Sequence, residues 1–186
     1  FSSSGFEALF KPDWLPHNPL GDSLVTKDGP GHAKLRALQS HAFAPRAIAR
    51  LEGRIREFAA DLANRLGTLG EADFVAEFCV PLPGRVTAEI LGIDPALHRK
   101  FKRWTGHLLM VSPMYPGDDF AAVIRTTVSE MEGYLKEVLT ARRRAPEDDT
   151  VSDLICAEVD GHRLTDEEII AFLFALLVAG YETSMH

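Results

Sequence analysis

The chain has 186 residues, 46% of them hydrophobic and 25% charged, with a formal net charge of −7. That is enough chain for one domain with a sizeable core, and the acidic balance argues against nucleic-acid binding. Cys79 and Cys156 stand alone, with neither a CxxC pair nor a disulfide framework, which suits a reducing, cytoplasmic setting; no apolar run approaches the roughly 18 residues of a membrane span, and no signal-peptide pattern is visible.

In chain order, residues 1–31 read as an irregular lead-in, because Pro12, Pro16, Pro19 and Pro30 with Gly21, Gly29 and Gly31 interrupt any long element. The apolar side chains within it, Leu9, Phe10, Trp14, Leu15 and Leu20 among them, predict an ordered loop packed on the body. A short helix is expected over 32–42. Pro45 opens another, with Ile48, Leu51, Ile55, Phe58, Leu62 and Leu66 spaced by three or four, ending at Gly67 and Gly70. Asp73-Phe-Val-Ala-Glu-Phe78 is expected to form a short strand. Proline is tolerated in a first helical turn, so Pro81-Leu-Pro83 starts a helix through Leu91. Residues 95–111 form the next, Ser112–Gly117 interrupts, and a long amphipathic helix runs from Asp118 to Arg144. Asp148–Cys156 is a short helix, Val159–His162 a turn, and Thr165-Asp-Glu-Glu168 a capping box that starts a final, all-round apolar helix. The expected fold class is mostly α, with little β.

Two constellations carry chemistry. His32 and Arg36 share one helical face, where paired cationic donors suit two carboxylates or phosphates, or else form a solvated basic surface. At the far end, Leu176-Leu-Val-Ala-Gly-Tyr-Glu-Thr183 places the small pair Ala179-Gly180 just before an acid and an alcohol. Glycine removes bulk, and a threonine hydroxyl can bond back to a helical carbonyl. Together they predict a dent in a buried helix with a proton-carrying pair, Glu182 and Thr183, at its edge; the plainer reading is a helix surfacing into water. The Arg142–Arg144 run reads as a solvated face that complements a helix C-terminus. The seven histidines show no metal spacing, so no metal ligand is assigned. No phosphate loop, nucleophile elbow or zinc-protease motif occurs, which argues against NTPases, Rossmann enzymes, α/β-hydrolases and zinc proteases.

Taken together, three segments resemble the bacterial soluble branch of the cytochrome P-450 haem-thiolate monooxygenases. They are Asp28-Gly-Pro-Gly-His-Ala-Lys-Leu-Arg-Ala-Leu-Gln-Ser-His-Ala-Phe-Ala-Pro-Arg46, Pro81–Ile93, and Asp166–Ser184 with its Ala-Gly-x-Glu-Thr-Ser motif. The resemblance implies a single partial domain, 1–186, in that fold: residues 1–31 as the B–C loop region, 32–164 as helices C to H, and 165–186 as the start of the I helix. It implies that His32 and Arg36 bind haem propionates, and that Ala179 and Gly180 are the small residues over the distal haem face. Glu182 and Thr183 become the catalytic pair that supplies protons for oxygen activation. Phe172 and Leu176, together with the 1–27 and Leu108–Phe120 regions, become substrate contacts. The cofactor implied is haem b, and neither Cys79 nor Cys156 has the context of its iron ligand, so that cysteine is expected outside this segment. The partners implied are O2, a hydrophobic small molecule (a polyketide, terpenoid or related natural product) and a ferredoxin with its reductase. Lys34 and Arg46 are candidates for docking the ferredoxin, with neither nucleic acid nor membrane involved.

The activity implied is hydroxylation or epoxidation. A relative that isomerises or uses peroxide is disfavoured by the intact Glu182-Thr183 pair, and the alternative from another class is a non-catalytic, haem-free helical binding module.

Overall fold

The computed structural model describes residues 3–112 and 114–185. Eight α-helices account for most of them: α1 (Ser4–Phe10), α2 (Gly29–Gln39), α3 (Pro45–Gly67), α4 (Pro81–Ile90), α5 (His98–Leu109), α6 (Asp118–Arg144), α7 (Thr150–Cys156) and α8 (Asp166–Met185). A two-residue hairpin, β1 (Glu158–Val159) with β2 (His162–Arg163), is the one sheet among the described residues. Asp160 and Gly161 turn it with φ of 52° and 75°, the left-handed geometry that a tight hairpin needs.

The core gathers around α8. Ile169, Leu173, Phe174 and Leu177 pack with Ile124, Val128, Met131, Leu135 and Leu139 of α6 and with Phe101, Trp104 and Leu108 of α5. Trp104 is fully buried, and its indole N–H donates to Glu130 Oε2 at 3.0 Å, so no buried donor is left unpaired there. Leu35 and Leu38 of α2 and Val151 and Leu154 of α7 close the cluster. No helix among the described residues is long and apolar enough to cross a membrane.

The helix boundaries follow local chemistry. Asp149 caps α7 by accepting from the Ser152 amide at 2.8 Å. Gly117, at φ 92°, opens α6, and its arginine-rich end closes the same 27-residue helix that the periodicity predicts.

Three expectations are corrected. The lead-in is not simply irregular: it holds α1, 3-10 turns at Pro19–Asp22 and Leu24–Thr26, and the first turn of α2; Pro19 and Pro30 stand in the first turns of two of these, where proline starts a helix. Gly29, at φ 57°, makes the sharp entry to α2. Residues Val75–Cys79 form one turn of π-helix instead of a strand, and the rings of Phe74 and Phe78 stack at 5.1 Å, a neighbourhood that only a helical turn gives residues four apart.

The third correction concerns the arginine run. The Arg142 side chain is only 11% exposed; its guanidinium donates to Asp149 Oδ2 at 2.5 Å and to the Gly92 carbonyl at 2.6 Å, and it pairs with Glu147 at 2.8 Å. Gly92 sits at φ 62°, where a Cβ would lie 2.0 Å from Asp149 Oδ2, so this knot requires glycine. Arg143 pairs with Asp166.

Candidate functional site

The site is built on α8 and α2. Thr165 and Glu168 form the expected reciprocal cap at the start of α8: the Glu168 amide donates to Thr165 Oγ1 at 3.2 Å, and the Thr165 amide to Glu168 Oε2 at 2.9 Å. From there the helix is helical without interruption to Met185. At 100° per residue, Phe172, Leu176, Ala179 and Thr183 fall on one stripe. Exposure rises along it: Phe172 is buried, Leu176 half-buried, and Ala179 and Thr183 are exposed. An apolar helix thus enters the core at one end and presents an uncovered wall at the other.

At that wall, Thr183 Oγ1 donates to the Ala179 carbonyl at 2.5 Å, the back-bond that threonine chemistry predicts. The two small residues face different ways. Ala179 is exposed, while Gly180 is turned toward α4, where an added Cβ would lie 3.1 Å from Thr87 Oγ1. Gly180 therefore lets α8 approach the buried Thr87 closely. The side chain of Glu182 lies outside the described residues.

On α2, His32 is half-buried, and Arg36, one turn on, is exposed; no carboxylate pairs with either among the described residues. Gln39 follows on the same face. It is 3% exposed, and its Oε1 has no hydrogen-bond partner among the described residues. A buried amide oxygen without a donor is costly. Rotation of that amide would present its N–H2 instead, because side-chain amide orientation is assigned from partners. His32, Arg36 and Gln39 are thus one stripe of polar groups that suits a ligand with carboxylates. The two stripes are linked through Phe43, whose ring meets Phe172 edge-on at 6.0 Å and is itself 41% exposed.

The Gln39 and Thr87 contributions are not readable from the sequence. A lone glutamine and a lone threonine carry no pattern, and only the packing gives them roles.

The two regions expected to border a substrate do touch. The Trp14 indole N–H donates to the Ser112 carbonyl at 3.1 Å, and its ring meets Tyr115 edge-on at 6.4 Å. Arg125 donates to the Trp14 carbonyl at 3.3 Å, and His17 pairs with Glu132 at 2.7 Å. Lys34 and Arg46 are both exposed. Cys79 is half-buried and Cys156 exposed, each free.

No family model matches the chain. It is 34% identical over 174 residues to cytochrome P450 CYP107DY1 of Priestia megaterium, covering 94% of this chain and 41% of that protein. It is 41% identical over 159 residues to the erythromycin C-12 hydroxylase of Saccharopolyspora erythraea, covering 84% of this chain and 39% of that one. In structure it is similar to the Bacillus subtilis bacillaene polyketide synthase cytochrome P450 PksS, with a TM-score of 0.82 at 29% identity, over 99% of this chain and 45% of that one. The chain spans about two-fifths of the length of the curated relatives it matches.

Proposed function

We propose that this chain, homologous to bacterial cytochrome P450s over about nine-tenths of its length, supplies the oxygen-side wall and the propionate anchors of a haem-thiolate monooxygenase. The observation that carries the reading is the graded stripe Phe172, Leu176, Ala179, Thr183. It is a low-relief apolar surface, open at one end, with a hydroxyl where a reacting oxygen species needs a proton donor. When bound, haem supplies the activation of O2 and the oxidation of substrate.

This chain's residues supply placement and protons. Arg36 and His32 hold the haem carboxylates from α2, and Gln39, whose Oε1 has no partner among the described residues, lies on the same face for a third polar contact. Ala179 keeps the wall flat, and Gly180 holds α8 against α4 so that the wall stays in place. The Thr183 oxygen keeps its lone pairs while its hydrogen is held by the Ala179 carbonyl. It can therefore accept a proton's hydrogen bond from Glu182 or water, and it donates outward once its side chain rotates. Leu176 and the Phe172–Phe43 pair give a hydrophobic substrate an apolar contact. The relatives named as an erythromycin hydroxylase and a cyclomarin C epoxidase support a natural-product substrate and a hydroxylation or epoxidation. Electrons would come from a ferredoxin and its reductase, with Lys34 and Arg46 as docking cations.

The test is the carbon monoxide difference spectrum of the reduced full-length protein. A strongly red-shifted Soret band is expected, and Arg36→Ala should lose haem faster on dilution. A well-folded protein without a haem signal would overturn the reading in favour of a haem-free helical module. In the same protein Thr183→Ala should still consume O2 while releasing peroxide in place of product; tight coupling would remove Thr183 from the proton path.

A further inference from the structure

The end of α3, the start of α4 and the first turns of α5 enclose a cavity of about 250 Å3. Its sign is opposite to that of the chain as a whole. Arg65, Arg85, His98, Arg99 and Lys102 line it, and Glu77 is the one carboxylate among the lining residues. Glu77 pairs with Arg65 at 3.0 Å, and Asp61 reaches Arg85 at 2.6 Å from α3. Four permanent cations set against those two carboxylates leave +2, in a chain of formal net charge −7.

Arg99 and Lys102 carry the excess. Both are exposed, one turn of α5 apart, and no carboxylate pairs with either among the described residues. The first turn of α5 holds no acid, so Arg99 stands at the positive end of the helix dipole. Like charges gathered in this way repel one another unless an anion is drawn in among them.

A second, shallower groove of about 480 Å3 adjoins the first through the shared residues Arg85, His98 and Arg99. Its remaining walls are Phe58 and Ala96. The basic cavity therefore continues into a less polar one. Neither includes a residue of the α2 or α8 stripes.

We propose that this cavity is an anion site that takes the phosphate group of an organophosphate, with the organic part lying against Phe58 and Ala96. A phosphate dianion matches the local excess charge. Guanidinium forks bind its oxygens in pairs, and an ammonium adds a point charge. The apolar groove distinguishes an organic ester from the bare ion.

The experiment is isothermal titration of phenyl phosphate, and separately of inorganic phosphate, into the full-length haem-loaded protein at low ionic strength. Saturable one-to-one binding of phenyl phosphate is expected, tighter than that of inorganic phosphate. The Arg99→Ala, Lys102→Ala double variant should weaken it at least tenfold. Both residues are exposed, so the variant should keep its circular dichroism and haem spectrum. Arg144→Ala, which removes an exposed cation outside the cavity, should leave binding unchanged. Absence of saturable binding at millimolar phenyl phosphate would overturn the site, as would equal weakening by Arg144→Ala, which would mean a diffuse ion atmosphere. Equal affinity for the two probes would overturn the organophosphate assignment. All of these readings are independent of whether the haem turns over.

Discussion

The two halves of α8 have nearly the same chemistry and different fates. Ile169–Phe174 and Leu177 are buried in the centre of the molecule, whereas Leu176, Val178 and Ala179 are half-buried or exposed. Hydrophobicity alone therefore does not tell which half of an apolar helix its neighbours cover. What separates the halves is which neighbours arrive: α5 and α6 cover the first, while the second meets α4 along the Gly180 side and leaves the Thr183 stripe open.

The largest test of that contrast is truncation on each side. Leu173→Ala in the full-length protein should cost about 3–5 kcal/mol in urea unfolding, because a fully buried leucine leaves a cavity that its neighbours only partly fill. Leu176→Ala should cost about 1 kcal/mol or less, since little packing is lost where cover is incomplete. It should show its effect in the affinity for hydrophobic ligands. Equal losses of stability at the two positions would mean that the stripe is core and not wall.

A finer test uses the contact that sets the wall's position. Gly180→Ala should gain helix propensity, about 0.5–1 kcal/mol, and lose most of it to the 3.1 Å approach of Thr87 Oγ1. In a Thr87→Ala background the obstruction is gone, so the same substitution should be more favourable by about 0.5–1 kcal/mol. A double-mutant cycle that closes additively would show that α4 does not constrain α8 at this point.

Much of this architecture is legible in the sequence, and the exceptions have identifiable causes. The limits of α6 are readable because an apolar stripe of one period runs between Gly117 and the arginines. The α8 start is readable because Thr165 and Glu168 satisfy each other's backbone locally. Asp73–Phe78 is misread as a strand because so short an apolar segment does not distinguish a strand from the single helical turn formed at Val75–Cys79. Arg142 is misread as solvated because its partners, Gly92 and Asp149, lie 50 residues before it and seven after it, and a charge run says nothing about long-range pairing. At the candidate site, His32, Arg36, Ala179, Gly180 and Thr183 are singled out by the family resemblance, since by spacing alone His32 and Arg36 read equally as a solvated basic surface. That Ala179 and Gly180 would part, one to the open stripe and one to Thr87, follows only from how α4 lies against α8.

The smallest effect lies where the lead-in meets α6, beside the first turn of α8. Burial pushes the Glu132 carboxyl up, but hydrogen bonds from Lys136 and His17, with the charges of both, outweigh it and hold Glu132 below its ordinary value. A carboxyl depressed in the folded state contributes stability above its unfolded pKa, and that contribution fades as pH falls through the folded value. Glu132→Gln should therefore destabilise the protein at pH 7 by a fraction of a kcal/mol, and the difference should close as the pH drops below about 4. His17→Ala should remove part of the same increment and detach one of the polar fastenings of residues 11–22, leaving Trp14 to Ser112, which precedes α6, and Arg125 of α6 to Trp14. Should the Glu132→Gln difference persist unchanged into acid, the carboxylate's charge contributes nothing there, and the lead-in is held by the Trp14 hydrogen bonds and the burial of Leu15 and Leu20.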